Sequence, residues 1–152
     1  MLTPRIRLLS YLRAKYSSFP AALLTTPNPA GGNNVTTGDA TGNTLEDSPK
    51  FTENMGARYS WDVADGKLDA SLNYFHTSMF YWEPDNRLQQ PAYGLLNGQM
   101  MWTNPDKRWS VRIWGKNLTN KQYYVFGTSE SEGDSDTPGA PRTYGIGATV
   151  KM

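Results

Sequence analysis

Cysteine is missing from the 152 residues, so the chain forms no disulfide and no thiolate metal site. Histidine occurs once, as His76, with neither a cysteine nor a second histidine to share an ion; it is read as a rim residue. No run of ~18 or more apolar residues is present, so no transmembrane helix is encoded. Charge of one sign is missing too: 15 basic against 14 acidic residues leave +1, which argues for neither nucleic acid nor an acidic partner. No G-x-S-x-G elbow accompanies the single histidine, and no residue claims a catalytic role. The chain is read as a non-enzyme, with no metal and no cofactor. The basic N-terminus MLTPRIRLLSYLRAKYSSF lacks a continuous apolar core and a small-residue cleavage site, so no signal peptide is expected. Mean hydropathy is -0.63. That value alone would suit a soluble protein, but a membrane barrel shows lipid only its alternate residues.

What is present is alternation. In the last ten residues Tyr144, Ile146, Ala148, Val150 and Met152 fall on one side, with Thr143, Gly145, Gly147, Thr149 and Lys151 on the other. A period of two is a β-strand whose faces meet different surroundings. Trp109, Val111 and Ile113 alternate in the same way with Ser110, Arg112, Trp114 and Lys116. Phe51, Met55, Ala57, Tyr59 and Trp61 share a face, with Glu53 as the exception. Leu68, Ala70, Leu72 and Tyr74 form the next apolar face, and Leu96, Met100 and Trp102 the one after, blurred by Leu95 and Met101. Ile6 to Phe19 fits a strand or a short amphipathic helix about equally well by periodicity.

Between these strands the connections alternate in length. Short turns lie at 62–66 and 104–107, and long Gly-, Pro- and Asn-rich connections at 20–49, 77–91 and 128–141. All short turns therefore gather at one end of an antiparallel sheet and all long ones at the other, the layout of an outer-membrane β-barrel. Residues 20–49, with turn residues at 31–34 and 41–43, read as one long external loop without structure of its own. Aromatics give a second check. Trp61, Trp102 and Trp109 flank the short turns, while Phe51, Tyr74 and Tyr144 lie toward the long-loop end. At ~3.3 Å per residue and ~45° of tilt, the ten steps from Phe51 to Trp61 rise roughly 23 Å, close to the ~25 Å band between aromatic girdles. Trp61, Trp102, Trp109 and Tyr144 are accordingly the expected girdle.

The stretches SPKFTENMGARYSW, GKLDASLNYFHTS, AYGLLNGQMMW, RWSVRIWGKNLTNKQYY and APRTYGIGATVKM, spread over 48–152, resemble the end of a TonB-dependent outer-membrane receptor. The most specific piece is the Trp-x-Val-x-Ile-x-x-x-Asn-Leu-Thr-Asn-x-x-Tyr pattern at 109–123, followed by a Pro-Arg-Thr-Tyr-Gly final strand. The resemblance favours a strand within 1–19. It implies an all-β, antiparallel up-and-down meander of about six strands, a part of a transmembrane barrel of about 22 strands. Residues 50–152 would be the C-terminal barrel segment. Implied partners are outer-membrane lipid, the remaining barrel and an internal plug, TonB through an N-terminal segment, and a scarce solute such as a ferric siderophore. The implied location is the bacterial outer membrane. The sequence shows no plug and no TonB-contacting segment, and it ends in Met152 where such barrels usually end in Phe. The expectation is thus a fragment of a receptor or a truncated reading frame.

Candidate sites are few. Phe80, Tyr81 and Trp82, with Glu83 and Arg87, could touch a ligand at the barrel mouth, because loops carry specificity in this architecture; packing between loops is the plainer use. Glu130 to Asp136 could attract a divalent cation, but the spacing is not that of a ligand loop. Asn117-Leu118-Thr119 is formally a glycosylation sequon, and strand-end structure is its plainer reading. Arg58, Lys67, Asp69, Arg112, Lys116 and Lys151 would face a polar lumen or a plug. The alternative from another class is a soluble β-sandwich carbohydrate-binding module, which would bury the Trp-bearing faces against each other.

Overall fold

The computed structural model describes residues 6–151, and among them the only regular elements are strands. In chain order they are β1 (Ile6–Tyr11), β2 (Ala22–Pro27), β3 (Asn33–Gly38), β4 (Phe51–Val63), β5 (Gly66–Thr77) and β6 (Phe80–Tyr81). Then come β7 (Gln89–Gln90), β8 (Tyr93–Thr103), β9 (Trp109–Lys116), β10 (Tyr124–Glu130), β11 (Gly133–Pro138) and β12 (Thr143–Val150). Six of them make one open sheet in the order β1-β4-β5-β8-β9-β12. Every pair in it is antiparallel. Each strand lies beside its neighbour along the chain once the small hairpins β2–β3, β6–β7 and β10–β11 are set aside. This is the expected meander.

The register keeps the two faces distinct. Trp61, Leu68, Trp102, Val111 and Ala148 follow one another across β4, β5, β8, β9 and β12. Tyr59, Ala70, Met100, Ile113 and Ile146 form the next row. No second sheet covers this apolar face among the described residues: Leu72 is 55% exposed, Ile113 50% and Ile146 78%. The sandwich alternative needs those rows packed against an opposing sheet, so the observed single layer overturns it. The other face is polar. There Arg58 pairs with Asp69 at 3.0 Å, Ser60 also bonds Asp69, and the Asn73 amide donates to Asn54 Oδ1 at 2.7 Å.

Both short turns have a local cause. Val63 pairs directly with Gly66, leaving Ala64 and Asp65 to turn the chain with φ of 51° and 61°. Two successive left-handed residues match the twist of the flanking strands. At 104–108, Asn104 exchanges hydrogen bonds with Trp109: its N–H donates to Trp109 O at 3.1 Å, and its Oδ1 accepts the Trp109 N–H at 3.0 Å.

Three expectations need correction at the other end. The first patterned segment is strand only over Ile6–Tyr11, and 12–19 is irregular except for a bridge between Lys15 and Thr44. Residues 20–49 are not structureless, because β2 and β3 form a hairpin there. The 128–141 connection likewise contains most of the β10–β11 hairpin. The turn residues were visible, with Gly31 and Gly32 at φ of 113° and 70° and Gly133 at 138°. The strands around them, such as NNVTTG and GDSDTP, carry no apolar alternation, because polar side-chain bonds dock them.

Candidate functional site at the long-loop end

The three hairpins meet at the long-loop end, and Arg87 links them. Its guanidinium makes a two-pronged pair with Asp134 of β11, Nη1 reaching Oδ2 at 2.8 Å and Nη2 reaching Oδ1. It also donates to Thr25 Oγ1 of β2 at 3.1 Å and to the Ser129 hydroxyl of β10. The Asn33 amide of β3 adds bonds to Asp134 Oδ1 and Glu130 O, both at 2.9 Å. Asp85 accepts from both the N–H and the hydroxyl of Thr25, at 3.0 and 2.8 Å, and Glu83 accepts the Ser129 N–H at 2.7 Å. Hydrogen bonds from Arg87, Ser129 and Asn33 hold the Asp134 carboxyl well below the usual carboxylate range, while Asp134 in turn raises the Arg87 pKa. Paired planar groups of this kind give orientation as well as energy.

The MFYW stretch sits against this polar cluster. Phe80 meets Trp82 edge-on at 4.8 Å, and Trp82 meets Phe126 of β10 at 6.4 Å. A side chain at Gly127 would lie 2.6 Å from the Trp82 ring, so glycine permits the approach. Tyr81 contributes its carbonyl to the Asp47 N–H at 2.9 Å. Arg87 and Trp82 are thereby engaged between loops, and Phe80 and Tyr81 are half-buried beside them.

An aromatic group that sequence reading missed lies on the polar face of the sheet, at the same end. Tyr93 of β8 stacks on Tyr123 at 4.8 Å and meets Phe75 of β5 edge-on at 6.2 Å. Register was the usable signal: Phe75 sits beside Leu95, so both belong to the polar face that Leu95 had blurred.

The Asn-Leu-Thr-Asn motif is a strand-end device. Asn117, 4% exposed, has a left-handed backbone at φ 47°, which asparagine tolerates. Its amide donates to Lys121 O at 2.9 Å and Ala140 O at 3.1 Å, and its Oδ1 accepts the Lys121 N–H at 2.8 Å. Asn120 Oδ1 accepts the Arg142 N–H at 3.1 Å. The side chain a glycan would need is buried and fully bonded.

Trp102 and Trp109 meet at 5.1 Å beside the short turns, where Tyr59 and Trp61 meet at 5.0 Å; Tyr144, 79% exposed, stands at the opposite end of the apolar face. Glu53, the exception on that face, pairs with Arg7 of β1 at 2.7 Å. His76 is its register partner, between Phe51 and Tyr74. Among the described residues, no cluster of three or more His, Asp or Glu side chains could hold a metal.

A two-faced antiparallel meander, with tight turns at one end and packed hairpins at the other, defines a wall segment of a membrane β-barrel. Residues 7–118 match the family model for the TonB dependent receptor-like β-barrel, and the chain belongs to that family. No curated protein matches the sequence. Among solved structures, the chain is similar to the ferric yersiniabactin uptake receptor FyuA from Yersinia pestis, with TM-score 0.69 and 21% identity, over 78% of this chain and 19% of that one. It is also similar to the siderophore receptor PiuA from Acinetobacter baumannii, with TM-score 0.61 and 17% identity, over 82% and 16%. BauA, the ferric preacinetobactin receptor from Acinetobacter baumannii, aligns with TM-score 0.57 and 27% identity, over 77% and 17%. The chain spans less than a fifth of the length of each of these.

Proposed function

We propose that the chain is part of the wall and mouth of a bacterial outer-membrane receptor that takes up a scarce solute of the ferric siderophore class. The observation that carries this reading is the two-faced sheet of the TonB-dependent receptor family. The apolar face meets lipid, with Trp61, Trp102, Trp109 and Tyr144 as its girdle. The polar face, with Arg58, Asp69, Arg112 and Lys116, meets the lumen and the plug of the complete receptor. In this reading Trp82 and Arg87 frame the mouth by joining its hairpins. Phe80 and Tyr81 stand at the rim, and Phe75, Tyr93 and Tyr123 offer the solute an aromatic wall. Energy for uptake enters through TonB, by way of the receptor's N-terminal part.

The test is uptake by the complete receptor in cells lacking other siderophore receptors. Growth on scarce iron with a panel of ferric siderophores should require both the receptor and TonB. Growth independent of either overturns the reading. The isolated chain adds a physical check: its wide apolar face and two open edges should make it aggregate in buffer without detergent. A monodisperse, cooperatively unfolding monomer there would also count against a barrel wall.

A further inference from the structure

Beyond β1 and β4 the chain parts and then closes again. The Leu12 N–H donates to Lys50 O at 2.9 Å, just past the last paired residues, Tyr11 and Phe51. Farther along, the Tyr16 N–H donates to Asn43 O at 3.0 Å and the Leu45 N–H to Ala14 O at 3.2 Å, on either side of the Lys15–Thr44 bridge. Between these closures residues 13–14 face residues 45–49, so the longer segment bows away from the shorter one. Asp47 turns it with a left-handed backbone at φ 51°, and its N–H is tied to Tyr81 O at 2.9 Å. Asn86 clamps Thr44, accepting its N–H at 2.7 Å and donating to its carbonyl at 2.8 Å. The gap is a pocket of about 400 Å³ lined by residues 11–15 with Thr44, Ser48 and Lys50.

The charge in this lining has one sign. Arg13, Lys15 and Lys50 all line the pocket, and no Asp or Glu does. Glu46 is near in sequence, but it interacts with Tyr16. The three cations are exposed, and none joins an ion pair among the described residues. Lys15 donates one ammonium hydrogen to Gly42 O at 2.9 Å, which leaves two more. The Thr44 hydroxyl and the Ala14 N–H add donors that no acceptor takes among the described residues. Gathered like charges repel one another, and an anion seated among them removes that cost.

We propose that this pocket binds a phosphate group, its oxygens held by Arg13, Lys15 and Lys50. A phosphate ester carries nearly two negative charges at pH 7 and three strong acceptor oxygens, which suits three cations. A carboxylate brings one charge and two oxygens. The planar guanidinium fork of Arg13 matches two phosphate oxygens at once. None of the lining residues belongs to the Arg87–Asp134 cluster, so the site goes beyond the uptake reading and does not depend on it.

Equilibrium dialysis of radiolabelled inorganic phosphate against the complete receptor in detergent tests the site. Lys15→Gln with Lys50→Gln should weaken binding at least about tenfold. Arg13→Gln alone should weaken it too. Lys15→Arg with Lys50→Arg should retain it, which separates loss of charge from loss of fold. Lys121→Gln removes an exposed cation outside the pocket and should change nothing, and acetate should compete poorly. A second arm measures, by native mass spectrometry, retention of one outer-membrane lipid with and without its phosphates. Retention that needs both the phosphates and the pocket cations supports the site and places the phosphate on a lipid headgroup. Binding of inorganic phosphate without such retention supports the site and places the phosphate on a soluble molecule. Binding of neither probe, binding that survives removal of the three cations, an equal loss with Lys121→Gln, or acetate competing as well as phosphate would each overturn it. Any of these leaves the uptake reading standing, because growth on ferric siderophores is scored separately.

Discussion

The sheet and the hairpin cluster are built on opposite plans. In the sheet, large apolar side chains such as Leu72, Ile113, Ile146 and Val150 are exposed, and the backbone ladder holds the strands together. In and around the hairpins, the buried side chains are mostly polar. Thr25, Asn33, Gln90, Asn117 and Ser129 are all below 10% exposure, while Ala22 and Ala40 are the buried apolar residues among those described. A soluble domain reverses this arrangement. The difference shows which medium each region answers to. Lipid rewards apolar side chains that face outward, provided the backbone groups are paired within the wall. The hairpins bury little apolar surface beyond Ala22, Ala40 and the Phe80–Trp82–Phe126 contacts, and they gain order chiefly from geometry-specific hydrogen bonds.

The most forceful way to break the comparison is to put charge on the apolar face. In the complete receptor, Arg at Ala57, Leu72, Ile113 or Ala148 should cost about 2–4 kcal/mol each near the bilayer midplane. Arg at Asn73, Gly147 or Thr149, on the polar face, should cost much less. Folding into lipid vesicles followed by denaturant titration measures both sets. Equal penalties would mean that the two faces do not meet different media, and a reversed pattern would mean a register shifted by one residue.

Asn117 tests the other plan at a buried point whose side chain is fully bonded. Asn117→Ala removes two donated bonds and one accepted bond, leaving Lys121 and Ala140 backbone groups unpaired. At roughly 1 kcal/mol per bond, the expected loss is about 2–3 kcal/mol. It should appear as faster amide exchange over 117–123 and 140–143, with the Trp61 end of the sheet unaffected. A loss spread evenly over all six strands would mean that the strand end and the wall unfold as one unit.

The same contrast explains what the sequence made legible. Alternation with period two located β4, β5, β8, β9 and β12 closely, because each has one apolar and one polar face. The tight turns expected at 62–66 and 104–107 from turn residues are observed at 64–65 and 104–108. The hairpins escaped because NNVTTG and GDSDTP have no face to alternate, and their strand character depends on partners far away in the chain. Arg87 was noticed as a charge beside aromatics, yet its pairing with Asp134, 47 residues on, is tertiary. The Phe75–Tyr93–Tyr123 group was hidden because strand parity says which face a residue takes, not which neighbours meet across strands.

Arg87→Gln loosens the hairpins without touching the wall. Asp134 is more than a third exposed, so solvent screens part of the pair. An expected cost of about 1–2 kcal/mol in hairpin docking remains, mainly from lost charge-assisted bonds. Proteolysis within 129–134 should accelerate severalfold in the variant, while the thermal transition of the barrel stays in place. An unchanged cleavage rate would show that Asn33, Asp85 and Glu83 hold the hairpins without the guanidinium.

The smallest expected effect is on pH. Asp134 has a folded pKa lowered below its ordinary value, chiefly by Arg87. The sign follows from linkage: such a group contributes stability that is fully present above the unfolded value of about 3.9 and is lost as pH falls through the folded one. Hairpin protection, corrected for intrinsic exchange, should therefore be flat from about pH 7 to pH 5 and decline only below about pH 4. Arg87→Gln should make that acid decline shallower, because less of the shift remains to be lost. The wall has its own carboxylate pairs, Arg58–Asp69 and Arg7–Glu53, which do not involve Arg87, so Arg87→Gln should leave the wall's pH profile unchanged. A loss of hairpin protection between pH 7 and pH 5 would place the acid-sensitive group outside the Arg87–Asp134 pair.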